Sequence, residues 1–392
     1  MAGHHQSRST AGEAALPSRR EAVEWFLRFV AASPLLSQAP AGAQERQQIY
    51  WPDRLPPLDG VVNALEMETV AEKSLPKSLY DHIAGGAGSE STLRRNREFF
   101  DRITLRPRVL VNVEGIDLST TLFGQTLYSP ILIGPTANHK RLHPDGELAT
   151  AAGARAAQAL MVISGRSTQP LADVVKAAGG AAWFQIDASG DDAELPRRAE
   201  TAAAQGCKAV CLTLGVSSPI PSRRDIHNGR ATATAYAAPT AASISWPQIE
   251  ALKRHLSVPL LVKGILSAAE AQSALDHGVD GIVVSNHGGR VIDGAPATIE
   301  MLPEISDVIA KRIPVLIDGG FRRGTDLLKA LALGADAVLL GRPVLWALAA
   351  YGAAGVERLL VMLQHELALS MGLAGQPNIA GLSRSLARVH SR

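Results

Sequence analysis

From residue 129 onward, short apolar runs alternate with alanine-rich stretches of helical period. The runs are 130–135, 160–164, 181–186, 209–215, 259–264, 281–285, 314–319 and 337–341. Most are apolar at nearly every position, the pattern of parallel strands covered on both faces. The stretches between them read as helices, for example 144–159, 268–277 and 325–333, with Gly278 and Gly334 placed to end two of them. Eight such strand–helix units predict an α/β fold, a closed (β/α)₈ TIM barrel. A doubly wound sheet is the alternative, but it commonly has fewer strands, and no G-x-G-x-x-G turn follows the first strand here.

Two connections are longer than the others. Residues 45–128 precede the first strand and are expected to form a helical and hairpin cap on the barrel of residues 129–392. Residues 216–245 follow the fourth strand and carry Ser222-Arg223-Arg224; in a barrel this insertion overhangs the C-terminal face. Residues 1–44 differ from the rest: Ser18-Arg19-Arg20, a modestly apolar stretch from Trp25 to Leu36, and Ala41-Gly42-Ala43. They read either as a degraded twin-arginine export signal, interrupted by Glu21, Glu24 and Arg28, or as a disordered tail. A periplasmic or a cytoplasmic location follows accordingly.

With 392 residues and 46% hydrophobic positions, the chain can build one large core, and its net charge of +2 gives no case for a nucleic-acid partner. No uninterrupted run of about 18 apolar residues occurs, so no membrane span is expected. Cys207 and Cys211 read as reduced core thiols, and no metal site is expected.

Reacting groups in such barrels cluster at strand C-termini. Reading each end in turn gives Pro135-Thr136-Ala137, Ser164, Gln185, Thr213 with Gly215, Lys263, Ser285 to Arg290, Asp318 to Arg322, and Gly341-Arg342. Gly319, Gly320 and Gly341 with Arg322 and Arg342 fit a phosphate site, where backbone N–H groups and guanidinium charge meet an anion. Lys263 closes an apolar strand. It is either a Schiff-base lysine, as in an aldolase, or a charge stabilising an anionic ring, and the neutral hydrogen-bonding neighbours Ser164, Gln185 and Thr213 favour the ring. His287 can accept a proton near neutral pH, and Arg290 can clamp a carboxylate.

The segment Ser285-Asn286-His287-Gly288-Gly289-Arg290, with Asp293-Gly294-Ala295-Pro296-Ala297-Thr298, resembles the signature of the FMN-dependent 2-hydroxy acid oxidases and dehydrogenases. The segments from Asp318 to Asp326 and Gly341-Arg342-Pro343 resemble the phosphate elements of the same family, and the likeness runs from Leu75 to the C-terminus. The resemblance implies FMN, held by Pro135, Thr136, Ala137, Ser164, Gln185, Thr213, Lys263, Ser285, Asp318, Gly319, Gly320, Arg322, Gly341 and Arg342. It implies His287 as base and Arg290 with Arg224 as carboxylate clamp. A small 2-hydroxy acid becomes a 2-keto acid, oxygen, a quinone or a cytochrome accepts the electrons, and a homo-tetramer is expected.

Three positions depart from the family pattern. His82 and Asp187 stand where the family has tyrosines that touch substrate, and Gly215 stands where it has an aspartate paired with the catalytic histidine. Asp187 and His82 are candidates for a new catalytic pair, facing each other. The alternative function is an FMN-binding member of the family, a sensor or partner subunit, with altered or lost hydroxy acid activity.

Overall fold

Each of the eight apolar runs forms a parallel strand, and the eight close a barrel: β1 (Ile131–Ile133), β2 (Met161–Ser164), β3 (Ala182–Asp187), β4 (Val210–Thr213), β5 (Leu260–Ile265), β6 (Gly281–Val284), β7 (Val315–Ile317) and β8 (Ala337–Leu340). Neighbours in sequence are neighbours around the barrel, and β8 pairs with β1 through Leu340 and Ile133. The protein is seen in a computed structural model that describes residues 55–188, 194–215, 220–231 and 244–390, all within the unit Leu55–Arg392. The expected export signal lies outside the described residues.

Alternation along each strand explains why the runs read as continuously apolar. Leu132, Val162, Trp183, Cys211, Leu261, Val283, Leu316 and Leu339 point inward and pack together inside the barrel. Their neighbours, among them Ile131, Ile163, Phe184, Leu212, Val262, Ile282, Ile317 and Leu340, join the outer core beneath the helices. Both faces are therefore dry. Cys207 and Cys211 are buried free thiols, and burial pushes each up to about 12.

The cap supplies α1 (Ala64–Ser74), α2 (Lys77–Ala84) and α3 (Ser91–Glu98). Its hairpin, Thr120–Leu122 with Gln125–Leu127, closes the N-terminal mouth. Leu122 joins the inner core, and the Phe123 ring sits 5.5 Å from Trp183. The outer helices are α4 (Glu147–Ala156), α5 (Leu171–Ala177), α6 (Glu194–Ala204), α8 (Trp246–His255), α9 (Ala268–Asp276), α10 (Thr298–Ile309), α11 (Gly324–Ala332) and α12 (Arg342–Leu373). The insertion after β4 contributes α7 (Arg223–His227), which packs on α2.

One helix bears on the expectation about spans. α12 is long and apolar enough by composition to cross a bilayer, and Glu357, Arg358 and Glu366 hide it from a search for uninterrupted runs. It packs against α1, α4 and α11, and 56% of its most apolar window is buried within the protein.

Candidate active site

Two residues beyond the last inner apolar layer, the inward positions turn polar. Val162 is followed by Ser164, Trp183 by Gln185, Cys211 by Thr213, Leu261 by Lys263, Val283 by Ser285 and Leu316 by Asp318. The period of two thus carries the barrel interior directly into a ring of functional groups at its C-terminal mouth. A cavity of about 550 Å³ opens there, the size of a cofactor site. All the residues nominated from sequence line it except Ser285 and Arg224.

Hydrogen bonds tie these strand ends into two chains. Ser164 Oγ donates to Gln185 Oε1 at 3.2 Å, and Gln185 Nε2 donates to Thr213 Oγ1 at 2.9 Å and to Asp187 Oδ1 at 2.7 Å. On the other side Lys263 Nζ donates to Ser285 Oγ at 2.7 Å and pairs with Asp318 Oδ2 at 2.9 Å, while Ser285 Oγ donates to that same oxygen. Ser285 is fully buried beneath this pair, which is why it does not reach the cavity surface.

The groups also fit the expected FMN. Asp318 Oδ1 is a buried acceptor with no partner among the described residues, and Asp318 lines the cavity. An unpaired buried carboxylate oxygen is costly, and a ribityl hydroxyl is the kind of donor that relieves it. Arg322 is buried and Arg342 half-buried, and among the described residues no carboxylate pairs with either guanidinium; desolvation pushes them down to about 10 and about 9. Two cations desolvated in this way and left without a carboxylate ask for an anion, and the phosphate end of FMN would supply it. Lys263, beside Ser285, would meet the ring side.

His287 follows β6 in a left-handed turn with φ 55°, 64° and 71° at His287, Gly288 and Gly289. A side chain at Gly289 would strike the backbone of Leu93, and one at Gly288 would strike Arg342. Both glycines therefore let the cap and the phosphate arginine approach the loop. Asn286 and Asn96 of α3 exchange amide hydrogen bonds at 2.8 and 2.9 Å. Asp293 accepts from the backbone N–H groups of Ser89 and Ser91 at 2.6 and 2.8 Å, so hydrogen bonding holds its carboxyl well below the ordinary range despite some burial. The signature loop is thus fastened to the cap at these and further places, among them Gly289 O, which accepts from Ala87 N–H at 2.8 Å.

Among the described residues, no carboxylate touches the His287 ring. Its hydrogen-bond partner is the Leu214 carbonyl, and a Cβ added at Gly215 would lie 3.8 Å from Nε2. A bulge at Gly264, φ 117°, brings the backbone of β5 close beneath the ring. Burial, aided by Lys263, pushes His287 down to about 4, against the pull of Asp318, Leu214 and Asp187. The ring is neutral at neutral pH.

The departures pair differently from the expectation. Asp187 and His82 do not face each other: Asp187 Oδ2 pairs with Arg166 at 2.8 Å, and His82 Nδ1 with Asp225 Oδ1 at 2.9 Å. Arg166 lies on the β2 loop and Asp225 on α7. Arg224 is likewise displaced. Its Nε and Nη2 lie 2.8 and 3.0 Å from the two Glu90 oxygens, and its Nη1 lies 3.7 Å from Asp81, so the guanidinium is spent within the cap. Arg290 lines the cavity, and its Nη1 donates to the carbonyls of His82 and Gly85 at 2.7 and 3.0 Å, at the C-terminal end of α2. Asp225, Arg166 and Asn96 escaped the sequence reading. Asp225 directly follows Arg224, and that adjacency is the one signal that could have raised it.

Comparison with known proteins adds the lineage. A family described as FMN-dependent dehydrogenase matches residues 71–241 and 228–389. A peroxisomal (S)-2-hydroxy-acid oxidase of Oryza sativa subsp. japonica is 43% identical over 352 residues, covering 83% of this chain and 95% of that protein. The glycolate oxidase of Spinacia oleracea is 41% identical over 355 residues, with 83% and 95% covered. Among solved structures, a mandelate oxidase superposes with a TM-score of 0.79 at 37% identity, over 85% of this chain and 100% of that one. A mutant flavocytochrome b2 with pyruvate bound superposes with a TM-score of 0.80 at 32% identity, over 85% and 88%.

Proposed function

The chain belongs to the FMN-dependent dehydrogenase family, and from that premise we propose that it oxidises a 2-hydroxy acid to the 2-keto acid, with His287 as base and Arg290 as a carboxylate contact. It is an FMN-dependent oxidoreductase acting on CH–OH donors. The observation that carries the reading is the neutral His287 ring set in the same cavity as the flavin-type ring of strand-end groups.

FMN, when bound, accepts the two electrons released from the substrate carbon. His287 takes the substrate proton on the ring nitrogen that Leu214 leaves free, and the other nitrogen stays fixed on that carbonyl. The imidazolium so formed is stabilised by the charges of Asp318 and Asp187 rather than by a contacting carboxylate. Lys263 holds positive charge at the ring side of the cavity, and Arg322 and Arg342 hold it at the phosphate side. Arg224 acts through the cap, by fixing Glu90, whose carboxylate also accepts from Gly86 N–H at 3.2 Å. The oxidase names of the relatives favour oxygen as acceptor, with a quinone or a cytochrome as alternatives.

Anaerobic bleaching of the purified holoprotein by a panel of 2-hydroxy acids tests the reading. A colourless protein that cannot be reconstituted with FMN, or one bleached by none of them, defeats it. A second reading, flavin binding with altered or lost activity, is favoured by Gly215, which leaves His287 without a carboxylate. Bleaching by lactate, glycolate or mandelate would count against it.

A further inference from the structure

A second cation opposite Arg290 would hold a substrate carboxylate more firmly than one guanidinium alone, and Arg224, the residue expected there, is engaged elsewhere. Arg290 reaches the cavity, but Arg224 is committed to Glu90 and Asp81 and does not line it. His82 does line it. Its Nδ1 lies 2.9 and 3.2 Å from the two oxygens of Asp225, and its Nε2 has no hydrogen-bond partner among the described residues. Asp225 is itself buried and fixed: its backbone carbonyl accepts from the Arg230 and Ala231 N–H groups at 2.8 and 3.3 Å, and its carboxylate Oδ1 lies 3.4 Å from Arg230 Nε. A carboxylate held this way sets the tautomer of its imidazole and supports the ring when it becomes charged.

We infer that His82, positioned by Asp225, is the second cationic contact for the substrate carboxylate, and that binding the carboxylate draws a proton from solvent onto His82 Nε2. The inference rests on the hydroxy acid reading and deepens it: the site selects an anionic carboxylate ligand and takes up a proton with it. The bond formed is N–H on the ring, and no electrons move.

The charged groups facing the ring set the direction. Asp225 on α7 favours the imidazolium. Arg290 beyond β6 and Arg230 beyond α7 oppose it, and the ring is half-buried. Burial is the largest influence, and the free ring is held below its ordinary value, hence neutral at neutral pH. Asp81, on the same helix, is already engaged by Lys77, Asn228 and Arg224. A ligand carboxylate at Nε2 adds a second anion and raises the ring's affinity for a proton. Ligand affinity then tightens as pH falls, by up to about tenfold per pH unit, between the free and the complexed pKa of His82.

The test is calorimetric titration of the holoenzyme with oxalate and with pyruvate, which carry no 2-hydroxyl to oxidise, at pH 7.5 in buffers of different ionisation enthalpy. Uptake approaching one proton per site is expected. His82→Gln should abolish the uptake and leave a weaker, pH-independent affinity, and Asp225→Asn should reduce the uptake. Thermal unfolding of both variants, each with FMN bound, separates these losses from structural damage. Binding without proton uptake, or uptake that persists in His82→Gln and vanishes in His287→Gln, overturns the inference while leaving the hydroxy acid reading intact. If neither carboxylate binds and no 2-hydroxy acid bleaches the flavin, both fall together.

Discussion

Restoring a carboxylate beside His287 is the sharpest probe of its role as base. Gly215→Asp places a Cβ 3.8 Å from Nε2, and a carboxylate oxygen extends far enough from Cβ to reach hydrogen-bonding distance of the ring. Two unit charges at about 4 Å attract by roughly 4 kcal/mol at an effective dielectric of about 20, before the cost of burying the new carboxylate. An adjacent opposite charge commonly shifts a titration by about 1–3 units after that cost. His287, now at about 4, should therefore rise to roughly 5–7. Because the base must be neutral, the sign is fixed. The acid limb of kcat/KM moves up in pH, activity falls below about pH 5–7, and at pH 8, where both forms are neutral, the more basic ring reduces flavin faster. The backbone at Gly215 has φ 76°, a left-handed conformation that aspartate tolerates better than most residues, so the expected loss of stability is about 1 kcal/mol. Stopped-flow anaerobic bleaching across pH 4.5–9 is the assay, with the flavin spectrum confirming loading. A folded, flavin-loaded variant whose acid limb stays where it was would refute His287 as the proton acceptor.

Three further outcomes are expected. Replacing Arg322 or Arg342 with Met should weaken FMN binding by about 10- to 150-fold, the worth of a charge-assisted hydrogen bond of about 1.5–3 kcal/mol, read by fluorescence titration of the apoprotein. Lys263→Met strands the Asp318 carboxylate and should destabilise the apoprotein by about 3 kcal/mol, and the double variant with Asp318→Asn should recover most of it in chemical denaturation. Arg290→Met should lower kcat/KM for the substrate by about 10- to 150-fold, whereas Arg224→Met, acting through Glu90, should leave KM within about threefold and lower Tm instead.

The barrel was legible because its strands are short, dry on both faces and separated by helices that end in glycine. Gly278 and Gly334 sit at φ 70° and 116°, where the chain must turn left-handed after α9 and α11. The ring of polar strand ends was legible for the same reason: once the strand is placed, the alternation says which residue faces the mouth. Pairing across elements was not legible. That His82 meets Asp225 and Asp187 meets Arg166 depends on how α2, α7 and the β2 loop lie over the barrel, and no local period encodes that. The guanidinium of Arg224 could equally have reached substrate or Glu90; only the cap, which brings Glu90 to its Nε and Nη2, decides.

These pairings change how proton handling should be understood. The chain carries Gly215 in place of a carboxylate on the His287 side, and Asp225 supports an imidazole on the cap side. Six cationic side chains line the cavity (Arg141, Arg166, Lys263, Arg290, Arg322, Arg342) against three carboxylates (Asp187, Asp225, Asp318), an excess of three positive charges. A flavin phosphate carries about −1.5 to −2 near neutral pH, which leaves an excess of about one positive charge, and a substrate carboxylate that arrives together with a proton on His82 keeps it there. A neutral His82 fits this balance before substrate arrives, and a charged one would add a fourth positive charge with nothing to meet it. Proton uptake at His82 is then a consequence of the ligand's own charge, and His287 is free to remain the uncharged acceptor that the oxidation requires.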